Sequence, residues 1–477
     1  MRTTFAHGRR VLGRLGQSPL AVAISLLAVL LVWGAAYDTL VGEETASADV
    51  GDTPSQPSER SVREAAANER PAERPAPPAP LVRQGPRLLE PPIDETPGLS
   101  IAIEDRDGHS MDALHEALRR AERGEGQARL MFYGASHVAS DLFTGLIRER
   151  LQARFGDAGH GVVLPAHPWR TYRHRGVDVE SNRGRWHATQ ARAHTHDVDH
   201  FGVHGVYVET DRAGAFGRVS TEDSGSVGRS ASLFDIYYLD QPGGGRFDVL
   251  MDGRPAQRVD TSADAAQGNY ATFRVPDGPH SLEVRAVGDG PVRFFGVAVE
   301  RETPGVLVDT LGINGARARY HLLWEDALYR EHMARRRPDL VVLAYGTNES
   351  GDDLPIERYE EQLEAVVSRV RQTVPQASCL LIGPSDRPLK RDDGVIEDRP
   401  RTHALIDAQY RVALRHGCGF FDLVAFSGGP LSMVEWAAME PSYGAGDLVH
   451  YTRRGYERLG EVLLTALLDG TEFAATP

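Results

Sequence analysis

Five short apolar runs spaced along this chain constrain its fold more than any other feature: residues 128–133, 306–308, 339–344, 379–382 and 418–421. A strand with one wet face alternates polar and apolar residues, whereas a strand buried on both faces reads as a nearly continuous apolar run. Segments with apolar residues at helical spacing lie between the runs. One carries Leu142, Phe143, Leu146, Ile147, Leu151 and Phe155; another carries Tyr359, Leu363, Val366, Val367 and Val370. Such strands alternating with amphipathic helices predict an α/β fold, a parallel sheet covered on both faces. The run at 128–133 reads as the first strand, preceded by a helix around 111–122, and Ser140 is placed to cap the helix that comes after it.

Between about residues 203 and 301 the texture changes. Phe247, Val249 and Met251 precede Asp252-Gly253, Phe273 and Val275 precede Pro276-Asp277-Gly278, and Leu282, Val284 and Ala286 come next. Period-two alternation broken by turn signals is the mark of an antiparallel sandwich. The expected organisation is therefore an α/β domain in two parts, 99–202 and 303–477, with a β-sandwich inserted over 203–302. A length of 477 residues with 41% apolar and 25% charged residues suits two folded domains plus extensions. The net charge of -14 argues against a nucleic-acid partner.

The amino terminus carries the remaining extensions. Residues 1–18 hold Arg2, Arg9, Arg10 and Arg14 and no acidic residue, and no charge occurs from Pro19 to Tyr37. That run is long enough to cross a bilayer as a helix, and the flanking charges place the first segment in the cytoplasm and the rest outside. The expectation is a cytoplasmic basic segment at 1–18 and a transmembrane anchor at 19–41. A cleaved signal peptide is the competing reading, since Ala46-Ser47-Ala48 has the small-x-small form of a cleavage site. Residues 42–98 read as a disordered, semi-rigid spacer, because 11 of the 29 prolines fall between 50 and 98.

Two cysteines, Cys379 and Cys418, exclude a disulfide scaffold and a cysteine-based zinc site. Each opens a strand-like run, so the pair could bridge if those strands are parallel neighbours; buried free thiols are the alternative. His187, His194, His196, His200 and His204, with Asp197 and Asp199, offer metal-ligand types within 18 positions. A polar entrance to the β insert, or an edge of a substrate groove, is the favoured reading. Trp169, Trp186 and Trp324 read as partly buried core residues rather than a sugar platform.

Three motifs carry chemistry. Gly134-Ala135-Ser136-His137 and Gly346-Thr347-Asn348-Glu349 each end an apolar run, and Asp447-Leu448-Val449-His450 precedes a helix containing Tyr456, Leu459, Val462 and Leu463. The C-terminal ends of parallel strands are where such sheets present catalytic loops. Ser136 between a strand and a helix can place its hydroxyl and its own N–H at a helix start, or can merely cap that helix. Val138 rules out a Gly-x-Ser-x-Gly elbow. A serine needs a base, and the base needs a partner to fix its tautomer; Asp447 and His450 can supply both. The Asn348 amide can donate to an oxyanion or serve turn chemistry, and Gly315 offers a second donor through its N–H.

In the chain order Ser136, Gly315, Asn348, Asp447, His450, these residues resemble the four blocks of the SGNH (GDSL-type) hydrolase family, over roughly 128–165 and 303–467. The resemblance implies a flavodoxin-like three-layer α/β/α fold. It also implies Ser136 as nucleophile, His450 as base oriented by Asp447, and an oxyanion hole from the Ser136 and Gly315 N–H groups and the Asn348 amide. The family's first block usually reads Gly-Asp-Ser, and here Ala135 replaces the aspartate. A β-sandwich between the serine and glycine blocks, with the segment Phe155-Gly156-Asp157-Ala158-Gly159-His160-Gly161, is similar to the peptidoglycan O-acetylesterases of Gram-negative bacteria, whose hydrolase is interrupted by a carbohydrate-binding-like module. The resemblance therefore implies a membrane-anchored, periplasmic or otherwise extracytoplasmic serine esterase. It would remove O-acetyl groups from a cell-envelope glycan through an acetyl-serine, need no cofactor, and have as partners the acetylated glycan and, through its amino-terminal helix, the inner membrane. An O-acetyltransferase using the same triad, or a glycan-binding protein in which Ser136 is inert, are the alternatives.

Overall fold

The computed structural model describes residues 83–89, 96–192, 195, 197–225, 227–471 and 473. The expected segments at 1–18 and 19–41 and most of 42–98 lie outside the described residues. Among the described residues no helix is long and apolar enough to cross a membrane.

Each of the five apolar runs forms a strand: β1 (Gln127–Gly134), β2 (Gly305–Gly312), β3 (Leu340–Ala344), β4 (Ser378–Ile382) and β5 (Gly419–Phe421). They pair in parallel in the order β2-β1-β3-β4-β5. This doubly wound order opens a crevice beyond the carboxyl ends of the strands, where the order reverses on either side of β1. Side chains alternate between the two faces of a strand. Leu130 and Phe132 of β1 therefore pack with Phe143, Ile147 and Leu151 of the helix Phe143–Phe155 and with Leu459 and Val462 of the helix Arg453–Leu468. Met131 and Tyr133 face the other way, into a core shared with Leu363 and Val366 of the helix Ile356–Thr373 and Leu405 and Val412 of the helix Pro400–Arg415. The result is three layers, helix, sheet and helix.

Two expectations are corrected at the level of caps and turns. The Ser140 hydroxyl does not cap the helix Phe143–Phe155; it donates to the His137 carbonyl at 2.8 Å, and the cap position is Leu142 without a side-chain bond. Pro276-Asp277-Gly278 is not the turn after a strand either; it forms the strand's last three residues. The strand Gln267–Gly278 runs through it, with a register shift between Arg274 and Gly278 that accommodates the proline. Cys379 and Cys418 are disulfide-bonded, because the parallel pairing of Leu380 with Gly419 sets the preceding residues side by side.

Two antiparallel sheets form the β region. One contains, side by side, the strands Gln267–Gly278, Ala231–Asp240, Val292–Glu300, Val206–Thr210 and His187–Gln190, with Gly159–Val163 also paired to Val292–Glu300. The other contains Asp178–Ser181, Phe216–Ser220, Ser281–Ala286, Arg246–Met251 and Arg254–Asp260. They pack face to face through Tyr238 and Phe294 of the first sheet against Phe247 of the second, at ring separations of 5.3 and 4.9 Å. Asp252 and Gly253 both adopt positive φ, 51° and 74°, the geometry a two-residue hairpin turn demands. Three of these strands precede residue 203. Asp178–Ser181 and His187–Gln190 are four-residue strands with polar sequences, too short and too wet for alternation to reveal them.

Trp324 is buried against Tyr133 and His321, while Trp169 and Trp186 are partly buried against the same core.

Candidate active site

β1 ends at Gly134, and the chain turns at Ala135 into a single helical turn, Ser136–Ala139. This turn is pressed against the end of β2: a Cβ on Gly312 would lie 2.1 Å from the Ala139 nitrogen. The contact holds Ser136 at the top of the sheet with no side chain between the two segments. As the first residue of a helical turn, Ser136 has an N–H with no intrahelical acceptor.

The structure brings together residues that are 314 positions apart. Ser136 Oγ lies 2.8 Å from His450 Nε2, and His450 Nδ1 lies 2.6 Å from Asp447 Oδ2. The other Asp447 oxygen accepts the N–H groups of Val449 at 3.0 Å and His450 at 2.9 Å, with Leu448 at φ 58° closing the turn. Burial acts to raise the Asp447 carboxyl, but the main-chain and ring N–H groups of His450 and the N–H of Val449 outweigh it, leaving the group below the usual aspartate range. The anion thus takes the Nδ1 proton in a hydrogen bond and leaves Nε2 as an acceptor facing the serine hydroxyl.

Asn348 lies just past β3. Its amide nitrogen donates to the Ala316 carbonyl at 3.0 Å, which uses one N–H and leaves the second available. Gly315, exposed at φ 74°, lies in the turn closed by the Ala316 N–H on the Ile313 carbonyl at 3.0 Å. Glu349 joins these two loops: its buried carboxylate accepts the Ala318 N–H at 2.9 Å and the Gly346 N–H at 3.0 Å. Burial raises the Glu349 carboxyl despite these bonds. The loops bearing Gly315 and Asn348 are therefore tied together twice, by an amide and by a carboxylate.

Several residues around this centre were not singled out for a role by the sequence. His137 is buried, with Nδ1 2.8 Å from the Tyr456 hydroxyl and Nε2 3.1 Å from Ser385 Oγ, and its ring lies 5.3 Å from that of His450. Burial, and then the charge of His450, push His137 down to about 3. The Ser385 hydroxyl also shares a hydrogen bond with Thr347 Oγ1 at 3.3 Å, and it reaches the Val449 carbonyl at 3.4 Å. A buried hydrogen-bonded floor thus connects all three motifs. Only the position of Ser385, just past the carboxyl end of β4, could have flagged it.

The histidine group between 187 and 204 does not converge. Among the described residues neither ring nitrogen of the buried His204 has a partner, His187 is exposed, and Asp199 binds Arg293 and the Tyr207 hydroxyl. His194 and His196 lie outside the described residues. Among the described residues no group of three or more His, Cys, Asp or Glu side chains is placed to hold a metal ion.

The sequence pattern of the GDSL-like Lipase/Acylhydrolase family matches residues 274–458. The second part of the chain and its three-layer fold are thus similar to those of the GDSL-like lipase/acylhydrolase family. The match contains Gly315, Asn348, Asp447 and His450 and stops short of Ser136, as expected when an insert separates the first block from the rest. Among solved structures the chain is similar to a peptidoglycan O-acetylesterase, with 26% identity, a TM-score of 0.63, and coverage of 76% of this chain and 97% of that one. It also aligns with a family two carbohydrate esterase from Clostridium thermocellum (13% identity, 55% of this chain, 94% of that chain) and with an acetyl xylan esterase (18% identity, 34% and 80%), each at a TM-score of only 0.26. Comparison with curated protein sequences gives no match.

Proposed function

We propose that this protein is an extracytoplasmic serine esterase that removes O-acetyl groups from a cell-envelope glycan such as peptidoglycan. The single observation carrying the chemistry is the relay from Ser136 Oγ through His450 to Asp447, at 2.8 and 2.6 Å. The similarity to a peptidoglycan O-acetylesterase supports the substrate class.

In this reading Ser136 Oγ attacks the acetyl carbonyl carbon while His450 Nε2 takes the hydroxyl proton. The Ser136 and Gly315 N–H groups and the free N–H of Asn348 receive the oxyanion. Collapse of the tetrahedral adduct breaks the bond to the sugar oxygen, which leaves with the proton held on His450. Water, deprotonated by the same nitrogen, then attacks the acetyl-serine and releases acetate and Ser136. Asp447 stays ionised throughout and stabilises the imidazolium. The antiparallel sandwich would hold glycan near this crevice, and an amino-terminal anchor with its proline-rich spacer would keep the enzyme at the membrane.

The test offers full-length protein an aryl acetate and O-acetylated wall glycan, and compares it with Ser136→Ala. Acetate release that is lost in the variant is expected. Retention of glycan with no acetate release by either protein would leave a binding protein, and acetyl groups appearing on an acceptor sugar would make it a transferase.

A further inference from the structure

Three arginines gather on the turn just past Asn348. Arg387 Nη1 donates to the Thr347 carbonyl at 2.9 Å, Arg399 Nε to the Arg387 carbonyl at 2.8 Å, and Arg401 Nε to the Glu349 carbonyl at 2.9 Å. Among the described residues none of the three pairs with a carboxylate, in a chain whose other ion pairs are many. The neighbouring acids are committed elsewhere: Glu349 to two main-chain N–H groups, Asp352 to Arg317, and Asp398 to His403.

The arrangement is built rather than loose. The guanidinium of Arg387 lies over Gly351 so closely that a Cβ there would come within 2.6 Å of Nη1. Arg401 Nη2 is buried without a partner among the described residues. Arg399 is the N-cap of the 16-residue helix Pro400–Arg415, so the positive end of that helix adds to the local field. Burial, and then the charge of Arg387, lower the Arg399 guanidinium, in line with two like charges held side by side.

This cluster borders the catalytic crevice. Arg387 stands two residues beyond Ser385, which touches His137 and the Val449 carbonyl, and it holds the carbonyl of the residue preceding Asn348. Guanidinium groups that lack a carboxylate of their own are suited to bind one in a planar, two-point geometry. We propose that Arg387 and Arg399, backed by Arg401, form an anion subsite at the rim of the ester site, which receives a carboxylate carried by the acetylated substrate. The inference rests on the esterase reading and narrows its substrate to acidic glycans or glycans bearing acidic peptides.

The test compares three acetyl esters: a neutral aryl acetate, O-acetylated glycan strands bearing their peptides, and the same strands stripped of peptide so that the carboxylate lies on the sugar. For Arg399→Gln and Arg387→Lys, the ratio of kcat/KM on the acidic ester to kcat/KM on the aryl acetate is expected to fall about tenfold. The strand that shows the drop identifies the source of the carboxylate. A parallel loss on all three esters, or an unchanged ratio, would overturn the subsite and leave the arginines as loop supports. Wild-type protein that cleaves no ester refutes the esterase reading instead. Binding of the stripped strands to Ser136→Ala, with and without Arg399→Gln, then decides the subsite by itself: equal affinities would sink it.

Discussion

Six histidines are held neutral inside the folded protein, and this makes acid the sharpest available probe of the fold. His137, His204, His321 and His332 are pushed down to about 3 and His174 to about 4, while His160 lies well below its ordinary value, in each case chiefly through burial. In the unfolded chain each would titrate near ~6.5. The folded pKa is the lower one, so the stabilisation is complete above about pH 6.5 and is lost as pH falls, because the unfolded state takes up protons that the folded state refuses. By pH 5 each of His137, His174, His204, His321 and His332 removes about 2 kcal/mol, and the five together about 10 kcal/mol, comparable with the whole stability of a domain. Carboxyls raised by burial, Glu349 among them, act in the opposite sense, so this figure is an upper bound. Urea unfolding between pH 7 and pH 5 should therefore give a free energy falling by several kcal/mol per pH unit, with acid unfolding near pH 5. His204→Leu removes one titrating group whose ring nitrogens have no partner among the described residues, and should lower the slope at pH 5.5 by about 1 kcal/mol per pH unit. A slope under about 2 kcal/mol per pH unit with the fold intact at pH 4 would refute the reasoning.

Asp447→Asn should reduce kcat by about 10³–10⁴-fold while leaving the circular dichroism spectrum unchanged, since the wrong histidine tautomer then faces the serine; unchanged turnover would remove Asp447 from the relay. Asn348→Ala should cost about 10²–10³-fold in kcat with little change in KM, read by steady-state kinetics on an aryl acetate, and a pure KM effect would argue for ground-state binding instead. Replacing both Cys379 and Cys418 by alanine opens a link between residues 39 apart and should cost about 4 kcal/mol in chemical denaturation, with the active-site geometry and kcat retained.

The central sheet was legible because burial on both faces leaves a plain mark: β2 and β4 are buried at every position, and most of their residues are apolar, while Asp309 and Thr310 in β2 are buried with hydrogen bonds from Arg336 and Arg148. The strand-end placement of Ser136 and Asn348 was readable from the same runs. What did not show was whatever depends on contacts between distant loops. Ser385 and Glu349 are ordinary polar residues in sequence, and their roles exist only because three loops meet above the sheet. Ser140 misled for a related reason: a serine ahead of an apolar-periodic run is a good cap by type, but here a helical turn at Ser136–Ala139 comes first and its hydroxyl bonds back into that turn. The front of the β region escaped because four-residue polar strands carry too little pattern to be seen.

The position of β1 bears on how the chain can be assembled. Leu130 pairs with Val308 on one side and with Leu340 on the other, so both neighbours of this strand are made only after the antiparallel sheets have been traversed. Its contacts are of high sequence separation, and loop-closure entropy must be met before they form. The hairpin of Arg246–Met251 with Arg254–Asp260 closes locally, and the other pairings between 206 and 300 span shorter loops than those of β1, so this region can form first. Until it does, β1 is an apolar strand with two unpaired edges, the kind of segment most prone to join another chain. Early closure of the β region shortens the effective loop to residues 135–158 on one side and 301–304 on the other, so the insert acts as an intramolecular clamp that delivers the serine strand to its partners.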